Sequence, residues 1–128
     1  MITDAEKIAL AQEFLAGLKS RDWDRLRSTM TEDIIWTMPG SSLISGEARG
    51  IEAVVARSQQ TVGYGLDFAL EHILVGQHNV ALSLHNTATC GDLKLDENLA
   101  TVCFLRDGKI SAIHTFLSDI DGMNAFFV

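Results

Sequence analysis

Histidine and carboxylate side chains occur in the second half of the chain at intervals that could bring them together in a sheet. His85 and Asn98 fall in consecutive strand-like runs, and Asp119 ends the last run. An imidazole oriented by an amide or a carboxylate can exchange a proton near neutral pH. His85 and Asp119, with Asp96 as another possible partner, are therefore candidates for proton abstraction or an aldol-type ring closure. The alternative for His85 is a hydrogen-bonded structural residue.

Other kinds of catalytic site have little support in the sequence. The histidines at 72, 78, 85 and 114 lack the short spacing of a zinc motif. No glycine-rich phosphate loop or nucleophile elbow occurs. We expect neither a metal nor a cofactor.

Helical patterns fill the first part of the chain. Thr3 and Glu6 form a capping-box pattern, and an apolar stripe follows it at helical spacing. Asp22 is typical of the N-cap of a second, short helix. A third helix is predicted over 50–57 and is expected to end near Gly63.

Strand patterns dominate the rest of the sequence. A β-branched and aromatic run over 33–38 stops at Pro39, and 41–49 is predicted to be a loop. Further runs over 67–75, 80–90, 95–105 and 110–118 are separated by turn residues and predict three consecutive hairpins. Helices followed by a meander predict one α+β domain over 1–128, with the helices on one face of the sheet.

Counting outward from two-residue turns at 91–92 and 107–108 places His85 opposite Asn98, and Asn98 opposite Leu117. Counting from 77–78 places His72 opposite Ser83. One face of the sheet then mixes polar and apolar side chains, and it carries His72, Ser83, His85, Thr87, Asp96, Asn98, Ala100, Val102, Ile113, Thr115, Leu117 and Asp119. The other face is strongly apolar and carries Leu82, Leu84, Leu99, Cys103, Leu105, Ile110, Ala112, His114 and Phe116.

The mixed face is predicted to line a ligand pocket, because such sites are largely apolar with a few convergent polar groups. Trp36 and Met38 are expected to add an aromatic wall, with ordinary core packing as the alternative. The apolar face would then be covered by a second copy of the chain. In the alternative arrangement the apolar face is the helix-covered core and His85 lies outside, and a single β-bulge would reverse every assignment beyond it.

Charge and composition restrict the partners. The net charge is −7 without a basic cluster, which disfavours nucleic acid and anionic membrane surfaces. No apolar stretch reaches the length of a membrane helix, and no basic leader precedes an apolar run. A cytoplasmic location is therefore expected. Cys90 and Cys103 are predicted to be buried free thiols, too far apart to bridge.

The strand end at 33–40, the helix start at Gly50-Ile51 and the segment from Asp107 to Asp119 together resemble the SnoaL-like branch of the nuclear-transport-factor-2-like superfamily. The resemblance covers essentially the whole chain. It implies a cone-shaped roll, with helices packed on a curved, mainly antiparallel sheet around a central pocket, and frequent dimerisation through the outer sheet face. Members include ketosteroid isomerases and polyketide cyclases, as well as proteins that only bind or assemble.

The resemblance also implies what this chain lacks. The positions of the isomerase's acidic groups fall at Phe14, Met38 and Ala100, whose side chains cannot move protons. The polyketide cyclase histidine falls at His85, and the family's last-strand aspartate falls at Ser118 or Asp119. The residues implied to line the pocket therefore include Phe14 and Ala100.

The predicted function is acid/base chemistry on a small apolar carbonyl compound, of polyketide, steroid or terpenoid type, by an isomerase, cyclase or lyase that uses the strand histidine. The alternative is a dimeric binding or accessory protein with the same pocket and no turnover. The unreactive side chains at Phe14, Met38 and Ala100 favour this alternative.

Overall fold

The computed structural model describes residues 2–128 and shows four helices and six strands. The helices are α1 (Asp4–Ser20), α2 (Trp23–Arg27), α3 (Ile51–Val62) and α4 (Ile120–Phe126). The strands are β1 (Met30–Met38), β2 (Gly46–Arg49), β3 (Asp67–Val75), β4 (Asn79–Cys90), β5 (Leu93–Arg106) and β6 (Lys109–Leu117). None of the helices within 2–128 is both long and apolar enough to cross a bilayer.

The predicted helix starts are confirmed by their capping contacts. Thr3 and Glu6 form a reciprocal capping box at the start of α1. The Asp22 side chain accepts a hydrogen bond from the backbone N–H of Arg25 and begins α2. Each contact satisfies a backbone donor that has no partner within the helix.

The six strands form one sheet in the order β2-β1-β6-β5-β4-β3. The three predicted hairpins are present, and β1 returns to pair parallel with β6. At the last hairpin, Asp107 and Gly108 have φ of 53° and 76°, as a two-residue turn that follows the twist of the strands requires. The α+β class and the curved, mainly antiparallel sheet are confirmed.

Two elements and one cysteine differ from the sequence predictions. The 41–49 segment contains β2, which pairs with the end of β1, and α4 follows β6. Both elements are too short to show a clear period in the sequence. Cys90 was predicted to be buried but is exposed, because it lies next to the tip of the β4–β5 hairpin; Cys103 is buried, and both thiols are free.

The helices and the C-terminal segment cover one face of the sheet, which we call the inner face. The largest fully buried side chains come from both layers and include Leu26, Ile34, Val54, Leu82, Ile113 and Phe126. The opposite, or outer, face has no helix against it and exposes large apolar groups, among them Leu74 and Phe116. The core therefore lies entirely on the inner side.

Arg57 of α3 holds the β1–β2 region in place. Its guanidinium donates hydrogen bonds to the backbone carbonyls of Trp36 (2.9 Å), Gly46 (3.0 Å) and Ser45 (3.1 Å). No carboxylate takes part in these three contacts. The arginine thus links a helix to the loop that borders the inner face.

We expect Arg57→Leu to lower the free energy of unfolding by about 2 kcal/mol, because it removes charge-assisted hydrogen bonds to the backbone. Urea denaturation followed by circular dichroism measures the change. The matched control is Arg49→Leu, since Arg49 makes an exposed ion pair with Glu47, a type of contact worth at most about 1 kcal/mol. Equal losses in the two variants would contradict the proposed role of Arg57.

Candidate functional site: an apolar cavity with a buried carboxyl group

The inner face is set by alternation along β4 and β5. β4 and β5 pair without a bulge, so the side chains of both strands alternate without interruption between the two faces. The even-numbered residues of β4 and the odd-numbered residues of β5 are the ones that point toward the helices. These positions carry Leu82, Leu84 and Asn86 on β4, and Leu95, Glu97, Leu99 and Thr101 on β5. The wall is therefore mostly leucine, with a few polar groups.

Side chains from α1, from β1 and from the C-terminal segment complete a cavity over this wall. α1 contributes Phe14, Leu15 and Leu18, and β1 contributes Trp36 and Met38. The far end is closed by Ile44, Met123 and Phe127. Measured as the space open to the centre of a water molecule, the cavity volume is about 50 Å³, room for more than one water.

Two contacts fix the indole ring of Trp36. Its Nε1–H donates to the Oγ1 of Thr115 (3.0 Å), which lies 3.4 Å from the Oγ1 of Thr101. The ring of Phe14 packs edge-on against it, with the ring centroids 6.1 Å apart. The aromatic wall therefore has a defined orientation and its N–H is already satisfied.

Asn86 and Glu97 form the polar part of the wall. They are direct cross-strand partners, and their exposed fractions are 7% and 2%. Glu97 Oε1 accepts the backbone N–H of Asp119 (2.9 Å). Glu97 Oε2 and Asn86 Oδ1 are buried and have no hydrogen-bond partner among residues 2–128. Such groups are costly in an apolar interior. Thr31 Oγ1 is also buried without a partner among residues 2–128, but only Asn86 and Glu97 lie at the cavity, which makes them the candidate site.

Burial raises the pKa of the Glu97 carboxyl. Desolvation is the largest cause, and the negative charge of Asp119 acts in the same direction. The hydrogen bond from the Asp119 backbone opposes the shift, because it favours the ionised form. A carboxyl whose pKa is moved toward neutrality can both accept and return a proton.

Some of the residues predicted for the pocket do reach the cavity. Phe14, Trp36, Met38 and Leu117 line it. Thr115 lies behind the lining, where it accepts the hydrogen bond from Trp36. Trp36 and Met38 therefore lie at a cavity, and their role in ligand binding stays a prediction.

The predicted placement of the other residues is wrong. His85 lies on the outer face, as do His72, Ser83, Asn98, Ala100 and Val102. The pairings of His85 with Asn98 and of His72 with Ser83 are as predicted, so the error lies in the choice of face. The leucines of β4 and β5 face the helices because burying them removes more apolar surface from water.

His85 has a different partner on the outer face. Its Nε2 hydrogen-bonds the carboxylate of Asp96, and its side chain is 38% exposed. This hydrogen bond raises the pKa of His85. The imidazole is separated from the cavity by the sheet itself, so it cannot reach a molecule bound there.

Asp119 also has a role other than the one predicted. Its exposed carboxylate accepts the backbone N–H of Gly122 (2.9 Å) and begins α4. Only its backbone reaches the site, through the hydrogen bond to Glu97. We conclude that Asp119 positions the Glu97 carboxyl and that its own carboxylate faces away from the cavity.

A β-bulge explains why Thr115 and Leu117 of β6 lie on the inner face, although the β4 and β5 residues that were predicted to share their face lie on the outer one. Leu105 pairs with Ile110 but Phe104 pairs with Ala112, so Ser111 is an extra residue in β6. Leu99, rather than Asn98, therefore lies opposite Leu117. The bulge returns Thr115 and Leu117 to the inner face.

Asn86 and Glu97 were absent from the candidate residues, although the sequence carries a signal for both. Glu97 alternates with Leu95 and Leu99, and Asn86 continues the alternation of Leu82 and Leu84. A polar residue in register with leucines on a strand shares their face, and it enters an apolar layer wherever the helices cover that face. Such a position is informative because charged side chains are almost never fully buried unless they are paired.

Two other features of residues 2–128 give less support for a functional site. No group of three or more His, Cys, Asp or Glu side chains in this range is placed to hold a metal ion. An open surface cleft of about 370 Å³ lies near His78 and Arg106. Its Lys7 Nζ is already bound to the carbonyls of Gly76 (2.9 Å) and Gln77 (2.8 Å), so the cleft lacks the unpartnered groups of the cavity.

Comparison with known proteins gives a family match and several similar folds. The model of the SnoaL-like domain matches residues 11–113. Bal32a from a soil-derived mobile gene cassette superposes with a TM-score of 0.92 at 24% identity, covering 97% of this chain and 98% of that one. An NTF2-like protein from Burkholderia xenovorans LB400 gives 0.87 at 17% identity, with both chains covered completely.

A third similar structure was crystallised together with a small molecule. TerC, co-crystallised with polyporic acid, superposes with a TM-score of 0.81 at 18% identity, covering 95% of this chain and 98% of its own. No curated protein matches the chain. At these identities the structural similarity establishes the fold.

We expect Glu97→Gln to stabilise the fold, and to do so more as the pH rises. The pKa of Glu97 is raised above its ordinary value of 4.5, so the folded state binds more protons than the unfolded state above that pH. Wild-type stability is therefore lost as the pH rises from about 4.5 through the folded-state pKa. Glutamine keeps an acceptor for the Asp119 backbone and cannot ionise.

Urea denaturation at acidic and at neutral pH measures this difference. At neutral pH the variant should be more stable than the wild type by about 1 kcal/mol, and the gap should narrow on acidification. Glu32→Gln, at an exposed carboxyl on β1, is the control and should show no such dependence. A Glu97→Gln protein that is less stable at neutral pH would contradict the burial argument.

Proposed function

The chain belongs to the SnoaL-like domain family, and we propose that it binds a small, mainly apolar carbonyl compound in its inner cavity and transfers a proton through Glu97. The observation that carries the proposal is a buried carboxyl group with an unpartnered oxygen in an otherwise leucine-rich wall. In this proposal Glu97 takes the role that the sequence had suggested for His85, and the reaction class stays isomerase, cyclase or lyase.

The proposed step begins with the ionised carboxylate. Glu97 removes a hydrogen from the carbon next to the carbonyl, and the electrons of that C–H bond move to form the enolate. Asn86, its cross-strand partner, has amide N–H groups that can donate to the developing oxyanion. Returning the proton to a different carbon of the conjugated system completes an isomerisation. In a ring closure the enolate carbon forms a bond to a second carbonyl carbon, and the protonated Glu97 gives its proton to the alkoxide oxygen that results.

The surrounding wall supports this chemistry because it is mostly apolar. Phe14, Trp36 and Met38 line the same cavity as Glu97, and in an apolar setting a fixed dipole acts more strongly than in solution. The Asp119 backbone holds Glu97 Oε1 and leaves Oε2 as the atom that takes the proton. TerC, which has the same fold, was crystallised with an organic molecule, which is compatible with a ligand-binding role.

A binding protein without turnover is the second candidate. It is favoured by Phe14 and Met38, which line the cavity at the positions where the family resemblance implies acidic groups in ketosteroid isomerases. The same cavity would then hold a ligand without changing it. The two functions differ in one measurable property, namely whether a bound carbonyl compound exchanges hydrogen with solvent.

We also propose that two copies of the chain pair through the outer face, as the family resemblance implied. Phe104, Phe116 and Leu74 are 37%, 58% and 59% exposed there. An apolar surface of this kind, shared by two identical copies, suits a symmetric dimer. A cytoplasmic location remains an expectation from the sequence. The charge balance also leads us to expect neither nucleic acid nor membrane as a partner.

Deuterium exchange tests the catalytic proposal without knowledge of the natural substrate. In heavy water, the protein should accelerate loss of the NMR signal from the α-hydrogens of acetone, a ketone small enough for the cavity. Glu97→Gln should reduce the rate at least about a hundredfold, because it removes the general base. The rate should rise with pH through the raised pKa of Glu97, since only the ionised form abstracts a proton.

His85→Ala and Asp96→Asn are the controls for this experiment, because both side chains lie on the outer face. Neither change should alter the exchange rate by more than about twofold. A rate that depends on His85 and not on Glu97 would reverse the assignment. Binding of acetone without any exchange would establish the second candidate instead.

Light scattering after size-exclusion chromatography tests the dimer. We expect the wild type to elute as a dimer and Phe116→Glu as a monomer, because a buried unpaired charge opposes association. Leu43→Glu is the matched control: Leu43 is also 58% exposed but lies on the loop between β1 and β2. A wild type that is monomeric at high concentration would refute the proposal.

A further inference from the structure

A surface cleft lies directly beside the cavity. The cleft has a volume of about 250 Å³ and lies at the C-terminal end of α1. Leu18, Leu66 and Phe68 line this cleft and also line the cavity, whereas the open cleft near His78 shares no residue with the cavity. The three shared side chains therefore lie between the solvent and the cavity, and we call them the partition.

The partition is next to the polar groups of the cavity wall. Phe68 pairs with Asn86 across β3 and β4, and Asn86 pairs with Glu97 across β4 and β5. All three side chains line the cavity, so they form one row on the inner face, with neighbouring strands about 5 Å apart. A molecule that passes Phe68 from the cleft therefore meets Asn86 and then Glu97.

Leu66 is the most accessible member of the partition. Leu18 and Phe68 are only 6% and 8% exposed, whereas Leu66 is half-buried. It ends the loop between α3 and β3, so its backbone belongs to neither a helix nor a strand. Side chains on such loops move at lower cost than those on paired strands. Leu66 is therefore the side chain of the partition that an entering molecule displaces most readily.

Arg21 ties this loop to the end of α1. It ends α1 with φ of 55°, and its guanidinium donates a hydrogen bond to the carbonyl of Val62 (3.0 Å), the last residue of α3. The loop is also anchored through Tyr64, whose ring packs against Phe126 and Phe127. A single hydrogen bond contributes less than an aromatic cluster, so the loop opens more easily on the Arg21 side.

We propose that small molecules enter the cavity through the partition, with Leu66 as a gate and Arg21 as the residue that holds the gate shut. The route leads from the cleft past Phe68 to Asn86 and Glu97. As a statement about access to the reacting carboxyl, the inference rests on the proposed function. It goes further because it gives Leu66 and Arg21 roles that the proton transfer itself does not require.

Quenching of tryptophan fluorescence by acrylamide tests the route of entry without any reaction. The chain has two tryptophans, so the Trp23→Phe protein keeps Trp36, which lines the cavity, as its only tryptophan. Acrylamide is neutral and only slightly larger than acetone, and it must reach the indole ring to quench it. Fluorescence lifetimes at increasing acrylamide concentration give the quenching rate constant of each variant built on this background.

In the Trp23→Phe background, Leu66→Ala should raise the quenching rate constant at least about threefold, because a smaller side chain lowers the cost of opening. Leu66→Phe should lower the rate constant, because the larger side chain narrows the passage. Leu105→Ala is the matched control, since Leu105 is also a partly buried leucine packed against the core but lies at the cleft near His78. It should leave the rate constant unchanged.

Arg21→Met should raise the rate constant at least about twofold, because it removes the hydrogen bond to Val62 and keeps a long apolar side chain. Lys19→Met is the matched control, since it removes a neighbouring cation from the same cleft and leaves the bond between Arg21 and Val62 in place. Circular dichroism establishes that each variant is folded. If Leu66→Ala does not fold, Leu66→Phe and Arg21→Met decide the question.

The possible failures are distinguishable. Equal rate constants in the Leu66→Ala and Leu105→Ala proteins would overturn the inference, and so would a Leu66→Phe protein that is quenched as fast as its background. An Arg21→Met protein that is quenched no faster than Lys19→Met would contradict the role of Arg21. None of these outcomes depends on catalysis. Absence of deuterium exchange with acetone would refute the proposed reaction and leave the measured route of entry unchanged.

Discussion

The covering of one face of the sheet by helices determines the rest of the structure, with α1 against β3 and β4 and α4 against β5. Phe14, Leu15 and Leu18 of α1 line the same cavity as Leu82, Leu84 and Leu99 of the sheet, so this face becomes the wall of the cavity. Burial of leucine side chains contributes about 1.5–3 kcal/mol each. No hydrogen bond made by the polar side chains of the outer face competes with a stabilisation of that size.

The same packing gives Glu97 its chemistry. Because Glu97 alternates with Leu95 and Leu99, it is carried into the apolar layer together with them. One of its oxygens is held by the backbone of Asp119 and the other has no partner among the described residues. The protein thus carries a buried polar group in an apolar layer, and its carboxyl has a raised pKa, a combination that makes Glu97 a candidate for a functional site.

Two neighbouring pairs of polar side chains show how strongly the face of the sheet determines the environment of an ionisable group. His85 with Asp96 and Asn86 with Glu97 are one residue apart along the same two strands. The first pair is solvent-facing and its hydrogen bond raises the pKa of the imidazole. The second pair faces the cavity, where desolvation raises the pKa of the carboxyl. Only the second pair lies at the cavity.

The sequence by itself determined the helix caps, the hairpin turns, the pairing of His85 with Asn98, the α+β class and the family. These features depend on contacts between residues that are close along the chain, or on counting outward from a turn. The sequence also predicted that Trp36 and Met38 lie at a cavity.

Tertiary structure decided which face of the sheet is inside, and with it the exchange of His85 for Glu97 as the candidate base. Alternation fixes which side chains share a face but leaves open which face the helices cover. The answer depends on the total apolar area that each choice buries, and beyond Ser111 it depends on a bulge that adds one residue to β6. Both are properties of the assembled sheet, because neither leaves a local pattern in the sequence of a single strand.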